Sequence, residues 1–166
     1  MIVVRDAVKE DCQSLLKLIV ELVDYHDMLK SFKVTLKMLE ENGFGSEATF
    51  KCKIAFDDEK PVGHCLYYYG YSSFKGRTVY MEDLYVTKAY RSKGVGKLLW
   101  KSVCKTALDM GCCACDFMVE NNNTPAIDFY KSKGAFDKSD TEDWNIFQLS
   151  QEKMMEFVNT KVKIQQ

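Results

Sequence analysis

A glycine-containing segment between a strand pattern and a helix pattern is the feature that most constrains how this chain folds. Residues 91–96 read Arg-Ser-Lys-Gly-Val-Gly, after an apolar strand pattern, Val79 to Val86, and before an amphipathic helix pattern, Lys97 to Met110. Gly94 and Gly96 permit a tight turn, and the helix that follows offers unpaired amides and the positive end of its dipole. The arrangement predicts a turn that binds an anion such as a diphosphate.

The spacing of this segment differs from two common phosphate-binding motifs. A Walker loop would end in Gly-Lys-Ser/Thr, and the dinucleotide fingerprint needs three glycines. Surface turns at helix entrances use the same residues for conformational reasons alone, so the flanking strand and helix carry the argument.

A second block of the sequence predicts a short helix. Residues 123–135 read Asn-Thr-Pro-Ala-Ile-Asp-Phe-Tyr-Lys-Ser-Lys-Gly-Ala. Pro125 suits the first turn of a helix and Gly134 suits its end. Tyr130 then lies on the surface of this helix, where a tyrosine is ordinarily a packing residue.

Composition is typical of one compact domain. The chain has 166 residues, 46% of them hydrophobic, and only two prolines, so a sizeable core is expected and disorder is not. The net charge of −1, with scattered basic residues, gives no reason to expect a nucleic-acid partner. Because no stretch is long and apolar enough to span a bilayer, no membrane partner is expected either.

The seven cysteines point to a reducing compartment. Their number is odd, and the chain lacks a signal-like start, which favours a cytoplasmic protein. Cys112, Cys113 and Cys115 form a cluster, but a zinc site would need a second pair of ligands, and His26 and His64 are remote in sequence. We therefore expect buried strand cysteines and no metal.

Periodicity predicts an α/β order of elements. The expected strands are Ile2–Arg5, Lys51–Phe56, Val62–Tyr71, Val79–Val86, Cys113–Val119 and Trp144–Leu149. The expected helices are Lys9–Tyr25, Thr35–Glu41 with a Thr cap and a Gly43 stop, Lys97–Met110 and the helix that carries Tyr130. The tail from Glu152 to Val162 has apolar residues that suit a helix docked on this subunit or on a partner.

Both blocks resemble the motifs of one enzyme superfamily. Residues 91–96 are similar to the Arg/Gln-x-x-Gly-x-Gly signature of the GCN5-related N-acetyltransferases, and residues 123–134 are similar to its Asn-x-x-Ala-x-x-x-Tyr-x-x-x-Gly block. The resemblance implies a single-domain α/β fold over residues 1–166, in which helices flank a mixed central sheet. It also implies two splayed parallel strands at the cofactor site.

A closer resemblance is to the diamine acetyltransferases. It rests on Tyr-Met-Glu-Asp-Leu-Tyr-Val at 80–86, Phe-Lys-Gly-Arg at 74–77 and Glu-Asp-Trp at 142–144, and it covers nearly the whole chain. That subfamily contains the spermidine/spermine N1-acetyltransferases and the thialysine N-epsilon-acetyltransferases. It implies acetyl-CoA as cosubstrate and a small aliphatic primary amine as acceptor.

The resemblance assigns residues to acetyl-CoA. The pantetheine arm is expected along Leu84, Tyr85 and Val86, where the parallel strands separate. The diphosphate is expected at the glycine turn, formed by Arg91, Ser92, Lys93, Gly94, Val95, Gly96 and Lys97. The remaining cofactor residues implied by the family are Asn123, Thr124, Pro125, Ala126 and Tyr130.

The chemistry of amine acetylation indicates which groups are needed. An alkyl ammonium has a pKa of about 10.4, so a base must remove a proton before attack. Glu82, at the centre of its strand, is the predicted base, acting through ordered water as in the family. The resemblance implies that Tyr130 is the acid that protonates the departing CoA thiolate. Alternation along the strand places Asp83 on the opposite face, where it attracts a cationic substrate or has a structural role. No cysteine follows the family's catalytic positions, so direct transfer in a ternary complex is expected.

Substrate recognition is the less constrained part of this interpretation. The family positions that line the amine channel are Tyr25, His26, Glu82, Asp83, Glu142 and Trp144. His26 and Ser72 stand where spermidine/spermine enzymes carry acids, which favours the thialysine branch, although His26 is also an ordinary helix-end residue. The choice among spermidine, spermine, short diamines and thialysine stays open.

The resemblance further implies a homodimer, with the tail at 151–166 packing in it. Three alternatives remain: a protein-lysine or N-terminal acetyltransferase, a noncatalytic acetyl-CoA-binding module, and a structural α/β domain without a ligand.

Overall fold

A five-stranded mixed sheet forms the centre of the first part of the molecule. The computed structural model describes residues 1–142 and 146–159, and the chain divides into two compact units between Met118 and Val119. The strands are β1 (Ile2–Asp6), β2 (Lys51–Asp57), β3 (Lys60–Ser72), β4 (Gly76–Val86) and β5 (Cys115–Phe117). They lie in the order β1-β2-β3-β4-β5, antiparallel except for the parallel pair β4–β5. The predicted mixed sheet is confirmed.

Among the described residues, three α-helices belong to the first unit and three to the second. Those of the first are α1 (Cys12–Tyr25), α2 (Leu36–Phe44) and α3 (Val95–Asp109). Those of the second are α4 (Thr124–Lys131), α5 (Lys138–Thr141) and α6 (Gln151–Val158). No helix in the described part of the chain is long and apolar enough to cross a membrane.

The helices of the first unit cover both faces of the sheet. On one face, Leu15 of α1 and Leu39 of α2 form a buried cluster with Cys52 of β2. On the other, α3 lies so close to β3 that a Cβ added to Gly63 would come within 3.2 Å of the Leu99 side chain. Burying each such aliphatic side chain contributes about 1.5–3 kcal/mol, so these two layers hold the sheet in place.

An ion pair ties β1 to the start of α1. The Arg5 guanidinium donates to both carboxylate oxygens of Asp11, at 2.6 and 2.8 Å, and the Val8 amide donates to Asp11 at 2.8 Å. Hydrogen bonding from Arg5 lowers the pKa of the Asp11 carboxyl, against the opposing effect of its burial. The folded state therefore favours the charged form of Asp11.

The helices α1, α2 and α3 begin and end within about three residues of the predicted positions. Thr35 caps α2 as expected, accepting from the Met38 amide at 3.2 Å. The predicted stop at Gly43 is wrong, because α2 continues to Phe44 and ends at Gly45. Gly43 instead makes room for the Phe50 ring, which would lie 2.6 Å from an added Cβ. It is a packing glycine.

Two predicted strands differ in the structure. The strand expected at 113–119 is shorter, because β5 covers only Cys115–Phe117. The strand expected at 144–149 is not formed by residues 146–149, whereas Trp144 and Asn145 lie outside the described residues. The tail helix is confirmed as α6 up to Val158, and Val162 lies outside the described residues.

The cysteines do not all follow the predicted burial. Cys12, Cys52, Cys65 and Cys112 are buried, but Cys113 is exposed, and all seven are free thiols. The Cys113 amide donates to the Arg77 carbonyl, which places this residue at the entry to β5 instead of inside it. Among residues 1–142 and 146–159, no group of three or more His, Cys, Asp or Glu side chains is arranged to hold a metal ion.

Candidate active site

Glu82 lies at a β-bulge. In the β3–β4 register Leu66 pairs with Asp83 and Tyr67 pairs with Met81, so Glu82 has no partner on β3. A bulge bends its strand and redirects the side chain of the extra residue. The predicted base therefore stands at the one irregular position of the β3–β4 ladder.

The surroundings of Glu82 make it a better proton acceptor than an ordinary carboxylate. Burial of its carboxyl, and then the charge of Asp83, raise its pKa. Both effects disfavour the ionised form. A carboxylate whose pKa moves toward neutrality gains basicity while remaining able to lose its proton again, as a general base must.

Asp83 faces a buried histidine. Its Oδ2 atom is 3.6 Å from Nε2 of His64, a residue with none of its surface exposed. Neither ring nitrogen of His64 has a hydrogen-bond partner within the described residues.

The bulge corrects the expectation that Asp83 and Glu82 point to opposite faces. The charge of Glu82 acts on Tyr68 and Tyr80. Along β3, Tyr68 shares a face with His64, which lies beside Asp83. Because the bulge interrupts the alternation, both carboxylates act on the face that α1 covers.

β4 extends beyond its parallel neighbour. The β4–β5 register runs from Val79–Cys115 to Met81–Phe117, where β5 ends, whereas β4 continues to Val86. Leu84, Tyr85 and Val86, predicted to bind the pantetheine arm, belong to this extension. The expected parallel pairing at β4 is confirmed, and one edge of the extension has no ladder partner from β5.

The glycine turn, predicted to bind an anion, leads directly into the N-terminus of α3. Ser92 and Gly94 have left-handed φ angles of 60° and 84°, and α3 begins at Val95. The first amide with an acceptor in this helix is that of Leu98, which donates to the Gly94 carbonyl at 3.0 Å. The amides of 95–97 thus have no acceptor within the helix and point toward its N-terminal end, where an anion is stabilised.

The side chains of the turn differ in how exposed they are to solvent. Val95 is buried, so only its backbone can reach a ligand. The Lys93 ammonium lies 5.2 Å from the ring centroid of Tyr90, a residue that precedes the turn. At Gly96 an added Cβ would meet the Val86 side chain only at 3.7 Å, an ordinary contact. The fold itself therefore tolerates a side chain at Gly96. Lys97 is exposed.

Arg91 is held by the protein itself. Its Nε donates to the Val86 carbonyl at 3.0 Å, and its guanidinium carbon lies 4.7 Å from the Tyr25 ring centroid and 5.6 Å from that of Tyr85. The Tyr85 hydroxyl in turn donates to Glu21 of α1 at 3.0 Å. These contacts join the end of β4, the glycine turn and the end of α1.

Tyr25 and His26, predicted to bind the amine, lie together at the end of α1. Their rings are 5.1 Å apart in an edge-to-face arrangement, and His26 is the C-cap of the helix. Tyr25 is exposed. The structure thus brings a predicted substrate residue, Tyr25, against a predicted cofactor residue, Arg91.

The second unit contains the other predicted site residues. Asn123 caps α4, accepting from the Ala126 amide at 3.3 Å. Thr124 and Pro125 begin the helix, and Tyr130 lies near its end with its ring centroid 5.2 Å from that of Phe129. Glu142 is half-buried and lies 3.6 Å from the Lys138 ammonium. Trp144 lies outside the described residues.

Three residues near the site were not singled out from the sequence. Glu21 bonds to Tyr85 across 64 positions of the chain, a separation that no local pattern reveals. Tyr68 and Tyr80 stack on each other, and the charge of Glu82 contributes to the raised pKa of both. Alternation along β4 places Tyr80 on the same side as Glu82, but its pairing with Tyr68 depends on the β3–β4 register, which no local pattern reveals.

A turn with amides that lack a helical acceptor, a strand edge without a β5 partner and a carboxylate of raised pKa suit an enzyme that transfers a group from an extended phosphorylated donor. The chain belongs to the Acetyltransferase (GNAT) family, which matches residues 17–135. It is an N-acetyltransferase, and acetyl-CoA is the acetyl donor of this family.

Curated relatives agree with the family. The chain is 36% identical to the thialysine N-epsilon-acetyltransferase of Bos taurus over 163 residues, covering 93% of this chain and 96% of that protein. It is also 36% identical to the spermidine/spermine N(1)-acetyltransferase-like protein 1 of Homo sapiens over 160 residues, covering 92% of this chain but 23% of that one.

Solved structures share the fold. An integron cassette protein from the mobile metagenome of V. cholerae superposes with a TM-score of 0.78 at 22% identity, covering 96% of this chain and 98% of that one. An aminoglycoside acetyltransferase from an uncultured soil metagenomic sample, in complex with sisomicin, gives a TM-score of 0.71 at 17% identity, with coverage of 90% and 94%. At these identities the likeness establishes the fold alone.

Proposed function

We propose that the protein transfers the acetyl group of acetyl-CoA to a primary amine of a small aliphatic substrate of the thialysine or polyamine type. The names of the curated relatives support this class of acceptor. The observation that carries the proposal is the position of Glu82, a carboxylate of raised pKa at the bulge of β4, next to the strand extension that lacks a β5 partner.

The described residues suit acetyl-CoA. Amides at the start of α3 are donors for the diphosphate, and the free edge of Leu84–Val86 offers backbone groups to an extended pantetheine chain. When bound, acetyl-CoA supplies the activated acetyl group. Arg91 fixes the turn against Val86 and in this way keeps the two binding elements in register.

Glu82 removes the proton that blocks the reaction. An alkyl ammonium with a pKa of about 10.4 is almost fully protonated at neutral pH. Glu82 accepts this proton through an ordered water molecule, and the amine then attacks the acetyl carbon. A carbon–nitrogen bond forms, and the carbon–sulfur bond breaks.

Tyr130 supplies a proton to the departing thiolate in this scheme. Its position in the Asn123–Gly134 block, which resembles that of the family, supports the assignment. After the carbon–nitrogen bond forms, the nitrogen loses its second proton, which replaces the one that Tyr130 gave to the thiolate. The proton held by Glu82 then passes to solvent. Transfer is direct, so both substrates are bound together and no acetyl-enzyme forms.

Recognition of the amine involves the end of α1. Tyr25, His26 and Asp83 are proposed to contact the amine together with Glu82, Glu142 and Trp144. His26 and Ser72 in place of acids reduce the negative charge available to a long polycation. This charge balance favours thialysine over spermine.

We further propose that residues 1–166 act as one acetyltransferase domain in a cytoplasmic homodimer. The family match crosses the boundary between the two compact units, which supports a single domain. Met155, Phe157 and Val158 of α6 are exposed apolar side chains, which supports a docking role for the tail. Light scattering coupled to size exclusion tests this, since removal of 151–166 is expected to reduce the mass from dimer to monomer.

Thiol release from acetyl-CoA tests the substrate class. The panel is thialysine, lysine, putrescine, spermidine, spermine and a lysine-containing peptide. Preference for thialysine supports the charge argument from His26 and Ser72. Preference for polyamines would mean that the remaining acids carry enough negative charge to bind a polycation. Activity on the peptide alone contradicts a small-amine acceptor and identifies a protein acetyltransferase. Binding of acetyl-CoA without release by any amine identifies a binding module.

A further inference from the structure

Two tyrosine rings from neighbouring strands stack beside Glu82. Tyr68 of β3 pairs in register with Tyr80 of β4, and their ring centroids are 5.1 Å apart with 26° between the ring planes. Tyr80 precedes Glu82 by two positions. Tyr68 keeps 37% of its surface exposed. An accessible aromatic pair next to a carboxylate is a surface suited to an organic cation.

The pair lies on the face of the sheet where both acids act. Side chains alternate along β3, so Tyr68 shares its face with Leu66 and His64. Leu66 packs against the cluster formed by α1 and α2, and His64 lies 3.6 Å from Asp83. Tyr68 and Tyr80 therefore extend the surface that begins at Glu82 and Asp83.

Negative charge reaches both tyrosine hydroxyls. Burial, and after it the charge of Glu82, raise the pKa of Tyr68. Burial and Glu82 also raise the pKa of Tyr80, with further contributions from Tyr68 and from Asp116, which is aligned with Tyr80 in the β4–β5 register. Burial disfavours any charge, but the part of the shift that Glu82 causes is a negative potential, which favours a cation in the same place.

We propose that Tyr68 and Tyr80 bind the second ammonium group of the substrate, the one that is not acetylated. This inference rests on the proposed function, because Glu82 is taken to mark the position of the reacting nitrogen. Two residues along β4 span about 6.6 Å, a separation comparable to that of the two nitrogens of a short aliphatic diamine. The ring faces and nearby carboxylates then favour an amine with two charges over a monoamine.

The test compares a diamine with its matched monoamine. The diamine is whichever substrate the unaltered enzyme acetylates, and its partner is the analogue of equal length without the second amino group. In Tyr68→Leu and Tyr80→Leu, kcat/KM for the diamine is expected to fall about tenfold, and for the monoamine to change less than about twofold. Tyr68→Phe and Tyr80→Phe keep the ring and are expected to retain most of the diamine preference.

Tyr71→Leu is the matched control. Tyr71 also belongs to β3 but is 82% exposed and lies on the opposite face of the sheet from Tyr68, three positions away. Loss of the Tyr71 ring is expected to change kcat/KM for neither the diamine nor the monoamine. A thermal shift with CoA that equals that of the unaltered protein checks that each variant retains its fold and its cofactor site.

Each outcome decides the inference. Equal losses for both amines would assign the tyrosines to packing alone and overturn it. An unchanged diamine preference in both Leu variants of an active enzyme also overturns it, while leaving the proposed function intact. Failure of the unaltered protein to acetylate any amine contradicts the proposed function, and this inference with it.

Discussion

The Arg91 guanidinium stacks on the ring of Tyr25, with its central carbon 4.7 Å from the ring centroid. Arg91 belongs to the turn predicted to bind the diphosphate, and Tyr25 ends the helix predicted to contact the amine. One cation–π contact thus joins the two halves of the proposed active site.

Arg91→Gln is expected to weaken the binding of both substrates, because it removes the cation–π contact with Tyr25 and the hydrogen bond to the Val86 carbonyl. A contact of this kind stabilises by about 0.5–1 kcal/mol at an exposed site, and a bond from a charged donor adds about 1.5–3 kcal/mol. We expect KM to rise at least severalfold for both acetyl-CoA and the amine. Initial rates with each substrate varied in turn measure this.

Lys93→Gln is the control for Arg91, since Lys93 stacks on Tyr90 instead. It is expected to leave the amine KM unchanged. A rise confined to acetyl-CoA in Arg91→Gln would show that Arg91 serves the cofactor alone.

Asp83→Asn is expected to move the acidic limb of the pH–rate profile to lower pH. The charge of Asp83 contributes to the raised pKa of Glu82, so its neutralisation lowers that pKa and keeps Glu82 ionised in more acidic solution. The profile of kcat/KM against pH measures the shift. An acidic limb that stays at the same pH, or that moves to higher pH, would contradict the assignment of this limb to Glu82.

Gly96→Ala is expected to impair acetyl-CoA binding without loss of stability. The new Cβ has room against Val86, but it lies at the amides that would hold the diphosphate. Gly94→Ala differs, because Gly94 has a φ of 84°, where a Cβ costs about 1–2 kcal/mol. Thermal denaturation with and without CoA distinguishes a loss of CoA binding, expected in Gly96→Ala, from a loss of stability, expected in Gly94→Ala. If Gly96→Ala binds CoA with normal affinity, the diphosphate does not bind at the amides next to Gly96, and this prediction is contradicted.

Asp11→Asn is expected to destabilise the fold by about 1–3 kcal/mol near neutral pH, because it removes a buried partner of Arg5. The pKa of Asp11 is lowered in the folded protein, so this stability is complete above the unfolded pKa near 3.9 and is lost as the pH falls through the folded value. Urea denaturation at neutral and acidic pH measures the difference, with Glu10→Gln of the same turn as control. A difference that persists undiminished in acid would contradict the ion-pair account.

Features set by neighbouring residues were predictable from the sequence. The cap at Thr35, the β2–β3 hairpin and the turn before α3 each depend on local chemistry, and all three are present. The sheet pairing of β4 with β5 follows from the crossover that α3 provides. Local patterns thus sufficed for most of the fold.

Features set by pairing across the chain were not predictable. The bulge at Glu82 exists only in the register between β3 and β4, so strict alternation misplaced Asp83. Gly43 reads as a helix stop, but the Phe50 ring that occupies its space is seven positions away. The assignment of Tyr130 and the other predicted site residues to acetyl transfer stays a prediction.

Glu82→Gln tests the central claim most directly. The measurement is amine-dependent thiol release by the variant and the unaltered protein at saturating acetyl-CoA, after equal CoA-induced thermal shifts show that both bind the cofactor. Loss of a general base predicts a decrease in kcat/KM of about 10²–10⁴, together with disappearance of the acidic limb of the pH profile. Undiminished turnover across pH by a variant that binds CoA normally would contradict the account.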